Sequence, residues 1–313
     1  MRISSTSFST NFLSEINQLQ QRQNTLQQEA STGLSVTQPE DNPEVMTNVL
    51  NLQTQSSAST QYQANVSKLQ TTANLSYTAM SNLKTISDRV DEIATLATSG
   101  TASPDQLNAY AQEVNNLVQE AAQLGNSQDA NGNYLFGGTA STQPPYTVTQ
   151  NSSNVVTSVT ANGNSSVAKA EIAPGVTISA EVPGSNTTGS GTPGLFQDSA
   201  SGVDIFAHMI SLQQDLASGN TAAITANDAP ALTKDNDNIV SQISANGVLQ
   251  STLSNATNIA SAQSLNITTE VSNATTADLA TVITQLDQTQ TAYQAALESG
   301  SKILSLSLLD YLH

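Results

Sequence analysis

No proline occurs between Pro43 and Pro104, and over that stretch apolar or small residues recur at alternating steps of three and four. The stripe runs Val45, Val49, Leu52, Ser56, Ser59, Tyr62, Val66, Leu69, Ala73, Ser76, Met80, Leu83, Ile86, Val90, Ile93 and Ala97. Such stepping marks one packed face of an α-helix, and a proline inside it would cost about 3 kcal/mol. At 1.5 Å per residue the span predicts a continuous helix about 80 Å long, far beyond an ordinary globular helix. A helix of that length with a single apolar face needs a partner, and the small residues Ser56, Ser59, Ala73 and Ser76 let one approach closely. The fold class expected is mainly α: a long antiparallel helical rod or coiled coil formed by the N- and C-terminal regions.

Further helices follow in order. Ser103-Pro104-Asp105-Gln106 combines an N-cap, a first-turn proline and a capping-box Gln, before Leu107, Tyr110, Val114, Leu117, Ala121 and Leu124, with Gly125 as the stop. Ile205, Met209, Leu212 and Leu216 predict a short amphipathic helix ending at Gly219, and Ile239, Ile243, Leu249 and Leu253 open a longer one. The two ends carry stripes of their own, Phe8, Phe12, Ile16, Leu19 and Leu26 at the start and Leu279, Val282, Leu286, Tyr293, Leu297, Leu304 and Leu308 at the finish. They are candidates to pair with each other, with Thr276 as the cap of the last helix and Asp278 in its first turn.

The middle of the chain reads differently. Five of the nine prolines, Pro144, Pro145, Pro174, Pro183 and Pro193, fall there among glycines, and the apolar period drops to two. Val155, Thr157 and Val159 form one alternating run and Val176, Ile178, Ala180 and Val182 another, bounded by Asn162-Gly163 and Pro174-Gly175. A small antiparallel β unit inserted in a helical chain is expected. The division predicted is residues 1–44 and 276–313 as terminal helices, 45–138 and 201–275 as a helical rod, and 139–200 as a β-rich insert.

Composition removes several classes of function. Eight Lys plus Arg against 25 Asp plus Glu give a net charge of -17, which repels phosphate backbones and anionic lipid surfaces. Neither nucleic acid nor a membrane is expected as a partner, and no run approaches the roughly 20 apolar residues that span a bilayer. Without cysteine and with two histidines, thiolate and His-rich metal centres and Cys nucleophiles drop out together. No apolar run of signal-peptide length follows Met1-Arg2-Ile3, so export, where it occurs, is expected to use another route.

The local motifs have plain alternatives. Gly189 to Gly194 spells GxGxxG, but it neither follows a strand directly nor opens a helix, and a loop is the better reading. Asp129, Asn131 and Asn133 have calcium-loop spacing, yet Tyr134 and Ala140 occupy the positions that need Gly and Glu, which favours a turn at Asn131-Gly132. His208 has no acid and nucleophile in sequence with it, so a partly buried, hydrogen-bonded or interfacial histidine is expected. No catalytic, cofactor-binding or metal residue is assigned, no cofactor is implied, and an enzyme is not expected.

Four ordered landmarks resemble a known family. They are Met1-Arg2-Ile3-Ser4-Ser5; Ser31-Thr32-Gly33-Leu34 leading to Glu40-Asp41-Asn42-Pro43; Asn133-Tyr134-Leu135-Phe136-Gly137-Gly138-Thr139; and Gln290 to Ala296 followed by Leu306-Ser307-Leu308-Leu309-Asp310-Tyr311-Leu312. The chain resembles the flagellin-related axial proteins of the bacterial flagellum, and among them the hook-filament junction members. It departs at Asn42, where the family usually has a second Asp before the proline. The resemblance implies an extracellular structural protein, exported through the flagellar type III apparatus with a chaperone on its C-terminal helix. It implies a homo-oligomeric ring between the first hook-associated protein and flagellin. A flagellin-like filament subunit, or a type III secreted coiled-coil tip or translocator protein, is the alternative. The subunit-interface residues expected are Phe8, Phe12, Ile16, Leu19, Leu26, Leu286, Tyr293, Leu297, Leu304 and Leu308, on the view that these stripes lack partners inside one chain.

Overall fold

The computed structural model describes the backbone of residues 5–311 and the side chains of residues 10–302. Long helices dominate it: α1 (Ser5–Thr32), α2 (Pro43–Thr98), α3 (Pro104–Gly125), α4 (Ile205–Ser218), the single turn α5 (Thr221–Ala223), α6 (Ala229–Thr275) and α7 (Leu279–Tyr311). Seven short strands lie between α3 and α4. Contacts divide the chain into two units, residues 1–58 with 263–313, and residues 59–262.

In the unit of residues 59–262 the predicted stripe of α2 is the backbone of the core. Every stripe position from Val66 to Ala97 is buried. Met80, Leu83, Val90 and Ile93 join Val114, Val118 and Ala121 of α3, Met209, Leu212 and Leu216 of α4, and Ile239 of α6 in one apolar cluster. Each such buried Leu, Ile, Val or Met contributes about 1.5–3 kcal/mol relative to exposure. The capping box at Ser103 forms as expected, the Ser103 side chain accepting from the Gln106 N–H while Gln106 accepts from the Ser103 N–H. Helix α4 starts on Asp204, whose carboxylate caps Ala207 N–H, and stops at Gly219 in the left-handed region (φ 71°).

The long helix α6 begins ten residues before the expected Ile239 signal. Pro230 is its second residue, a place where a missing N–H costs little. A π-helical turn, Ile224–Asp228, leads into it.

The strands make three small sheets rather than the single antiparallel unit expected. β1 (Tyr146–Gln150) and β2 (Val156–Ala161) form a hairpin with Val148 opposite Val159. β3 (Ala170–Ala173) pairs antiparallel with β4 (Val176–Ile178). β5 (Ser185–Asn186) runs parallel to β6 (Gln197–Asp198), which pairs antiparallel with β7 (Val203–Asp204). The reason is that each hairpin covers a helix surface instead of another strand. β1 and β2 pack on α3 and α4, whereas Ile172 and Ala180 close a second cluster with Val66, Leu69, Ala73 and Leu253. Thr157 is exposed and Val156 takes the buried place. The GxGxxG run is the loop between β5 and β6, with Gly189 and Gly191 at φ 70° and 91°.

Four aromatic rings concentrate at the root of the strands. Phe196 stacks on Phe206 with centroids 5.2 Å apart and meets Phe136 edge-on at 5.6 Å, while Tyr146 lies 5.1 Å from Phe196. Phe136 belongs to the Leu-Phe-Gly-Gly landmark, and the landmark's glycines have a steric cause. Gly138 has φ 62°, and a Cβ there would overlap the Asn164 and Ser166 carbonyl oxygens. Asp129 uses its carboxylate on its own turn, accepting from the N–H groups of Asn131 and Asn133 at 2.8 and 2.9 Å.

His208 on α4 is paired with Asp235 of α6, Nδ1 to Oδ2 2.7 Å, and Asp235 is almost wholly buried. The hydrogen bond to Asp235 holds the His208 pKa above its ordinary value against an opposing effect of burial, with Asp204 and Asp228 adding to the rise. Burial raises Asp235 in turn, outweighing its bond to His208. Because the folded-state pKa of His208 is raised, its stabilisation is complete below about pH 6.5 and is lost as pH climbs through the higher folded value.

Two outcomes are expected. Replacing Gly138 by Ala should destabilise this unit by about 2 kcal/mol or more, since positive φ alone costs about 1–2 kcal/mol before the carbonyl overlap; urea unfolding followed by circular dichroism measures it. In His208→Asn, the loss of melting temperature should be larger at pH 6 than at pH 9, and a loss that grows with pH would contradict the assigned charge state.

Candidate assembly surface

In the other unit, α1 and α7 lie against each other and run antiparallel. Phe12 meets Gly300 near one end of the contact, where the ring occupies the space a Cβ on Gly300 would need. Near the other end Leu26 packs with Val282 and Ala277, flanked by Ala30 and Leu286. Between these points the inward positions step by three and four on both helices. On α1, Phe12, Ile16, Leu19, Gln23, Leu26 and Ala30 are buried or half-buried, and on α7 so are Val282, Leu286, Thr289, Tyr293, Ala296 and Gly300.

The turns fix the register of this pair. Gly33 ends α1 with φ 73° and its N–H on the Glu29 carbonyl. Leu34 then bridges Thr276 as an isolated antiparallel β pair, Ser35 N–H donating to the Thr275 carbonyl at 2.7 Å and Ala277 N–H to the Gly33 carbonyl at 2.8 Å. This is the structural content of the Ser-Thr-Gly-Leu landmark. It also corrects the expected cap: Thr276 is engaged in the bridge, and Asp278 caps α7, accepting from Ala280 N–H and the Thr281 hydroxyl. Those bonds, the Thr281 hydroxyl first, hold Asp278 below the usual carboxylate range. Asp41 is lowered likewise by the Thr37 and Gln38 N–H groups. Asn42, the departure from the family pattern, caps α2 through Oδ1, which accepts from Glu44 and Val45 N–H. An Asp side chain would offer the same acceptor.

The expected interface residues therefore separate into groups. Phe12, Ile16, Leu19, Leu26, Leu286 and Tyr293 face the seam between α1 and α7. Ile16 and Leu26 are only 8% and 5% exposed in a single chain, so the view that these stripes lack internal partners does not hold for them. The reason is that α7 returns along α1 with its own stripe in register. Leu297 points elsewhere and is 45% exposed. The side chains of Phe8, Leu304 and Leu308 lie outside the described residues.

The apolar surface left open belongs to Leu13 and Ile283, which the stripes omit, together with Leu279 and Leu297, which they include. Leu13 is 60% and Ile283 51% exposed, and Leu279 joins them at 46%. Ile283 and Leu297 are two heptads apart, so both look out from one side of α7. That spacing is present in the sequence beside a longer seam stripe of the same period. Among the described residues there is no cluster of three or more His, Cys, Asp or Glu able to hold a metal, and no helix long and apolar enough to cross a membrane.

The family profile of the bacterial flagellin N-terminal helical region matches residues 3–141. Over that stretch the chain is similar to the N-terminal region of bacterial flagellins. The match takes in α1, α2, α3 and the Leu-Phe-Gly-Gly landmark. No curated protein matches the chain. Among solved structures, a Vibrio parahaemolyticus protein described as a flagellar hook-associated protein superposes with a TM-score of 0.63 at 20% identity, over 75% of this chain and 100% of its own. FlgL of Xanthomonas campestris gives 0.56 at 19% identity over 69% and 98% of the two chains. The flagellar junction protein FlgL of Legionella pneumophila gives 0.51 at 15% over 66% and 99%. The fold of these proteins is the fold of this chain.

Seam and outer face should respond differently to substitution. Ile16→Ala and Leu26→Ala are each expected to cost about 2–4 kcal/mol, the range for emptying a buried aliphatic site. Leu13→Ser and Leu297→Asp should change the stability of the isolated chain by less than about 0.5 kcal/mol. Hydrogen exchange of the α1 amides in the four variants distinguishes the two sets.

Proposed function

We propose that this protein is a hook-filament junction protein of the bacterial flagellum, of the hook-associated protein 3 type, with a structural and not a catalytic role. The observation that carries the reading is a flagellin-type N-terminal region whose first helix is locked to the last helix of the same chain, with Leu13, Leu279, Ile283 and Leu297 left facing out. Such a pair presents apolar surface that a single copy cannot cover, and exposed apolar side chains gathered on one element mark association sites.

In this reading the terminal segments 1–44 and 276–313 line the inside of a homo-oligomeric ring, the helices of 45–138 and 201–275 surround them, and residues 139–200 face outward. The ring joins the first hook-associated protein on one side and flagellin on the other. The subunit reaches the cell exterior through the flagellar type III export apparatus, its C-terminal helix held by a chaperone until export. An isologous dimer interface would close on itself. A ring needs a heterologous contact, one surface of a copy meeting a different surface of the next. The outer side of the helix pair would supply one of those two surfaces, and the seam residues would act indirectly by holding it in shape.

Deleting the gene in its native host should leave cells with hooks but without filaments and with flagellin released into the medium. Leu297→Asp should reproduce that phenotype while the purified variant keeps its circular dichroism spectrum and melting temperature. Normal filaments in the deletion strain would overturn the assignment, and normal filaments in Leu297→Asp would remove this face from the contact.

A further inference from the structure

Within residues 59–262 there is an open cleft of about 980 Å³ between α3, α4 and the turn of the β1–β2 hairpin. Nine of its thirteen lining residues are Asn or Gln and none carries a charge, although the chain as a whole has a net charge of -17. Asn108, Gln112, Asn116 and Gln119 are set along one face of α3, while Gln150 and Gln214 belong to the opposite walls. Asn115 builds the site rather than filling it: its Oδ1 accepts from Val156 N–H at 2.8 Å and its Nδ2 donates to the Asn154 carbonyl at 3.3 Å, fixing the hairpin turn against α3. Gln213 is 95% buried on the side of α4 that lines the cleft, and its Oε1 has no hydrogen-bond partner in the protein.

We propose that this cleft binds a neutral, hydroxyl-rich saccharide. A carboxamide donates through its NH₂ and accepts through its carbonyl, and a sugar hydroxyl does both as well, so an array of Asn and Gln matches vicinal hydroxyls without any charge. The other ligand classes fit poorly. Anions meet no cation in the lining, and cations meet no carboxylate. An apolar ligand would find only Ala111, Val155 and Ala217. An extended peptide would supply backbone amides of the right polarity, but it needs pockets for alternate side chains, and the lining has none of apolar character beyond those three small residues. The last torsion of a Gln side chain is broad, so Gln213 can turn its free oxygen toward a bound hydroxyl. With no aromatic ring in the lining to stack on a sugar face, binding is weak and set by hydrogen bonds alone.

The test uses the full chain and saturation-transfer NMR with maltotriose, cellotriose and chitotriose, beside a sulfated oligosaccharide and a Gly-Ser peptide. At least one neutral trisaccharide should bind saturably with Kd below about 10 mM. The double variant Gln112→Leu with Gln119→Leu should weaken that binding by about tenfold or more, at an unchanged melting temperature. Gln213→Met, which fills the same volume without the polar group, should also weaken it while keeping or raising the melting temperature. No saturable binding by any neutral trisaccharide overturns the proposal. So does binding that survives both variants, or a preference for the peptide or the sulfated probe. None of these outcomes bears on the assembly role of α1 and α7.

Discussion

A helix with one apolar stripe stays helical in water only while something covers the stripe, because helix propensity alone is too weak to offset the entropy of ordering the chain. α2 is 56 residues long and rich in Ser, Thr, Asn and Gln, so the constraint acts over an unusual length. In the unit of residues 59–262 it is met by several short partners in succession, α3, α4, part of α6 and two hairpins, each covering a section of the stripe. In the other unit it is met by a single partner, α7 along α1. The β-rich region is best understood in the same terms, its hairpins serving as lids on helix surfaces and its Phe136, Phe196 and Phe206 as the plug beneath them.

The locked pairing of α1 with α7 is what makes an outward face possible. The Gly33 stop, the Leu34–Thr276 bridge and the Asp278 cap set which residues meet in the seam. Once Ile16 and Leu26 are committed inward, Leu13, Ile283 and Leu297 are placed outward by helix geometry alone. The apolar residues of that face are separated by polar ones, Asp287 and Gln290 sitting between Ile283 and Leu297 on the same helix.

Much of this was legible in the sequence, and for physical reasons. The 3-4 stepping of α2, the capping box at Ser103 and the Ile205 to Leu216 stripe of α4 with its Gly219 stop are local signals, decided within one or two turns of helix. The landmark glycines were legible as positions but not as causes: only the fold shows that Gly138 has no room for a Cβ beside Asn164 and Ser166. The division of the strands into three sheets is not visible in the sequence, because alternation reveals that a segment is half-buried but not what buries it. Thr276 serves a bridge and not a cap, and a backbone bridge between residues about 240 positions apart leaves no trace in local composition. The end stripes look like one set of residues in the sequence, whereas the fold divides them into a buried seam and exposed positions, because periodicity gives a face and says nothing of which neighbour, in the same chain or another, lies against it.

Residue order alone accounts for the long helices, the position of the strand-bearing insert, the absence of thiol chemistry and the strongly acidic balance. All follow from residue type and spacing along the chain. Only the tertiary structure decided that the end stripes face each other, that Leu13, Ile283 and Leu297 remain outside, that His208 rests on a buried Asp235, and that nine carboxamides converge on one cleft. Those features depend on which surfaces meet, and burial is a property of pairs of surfaces, which no one-dimensional pattern specifies.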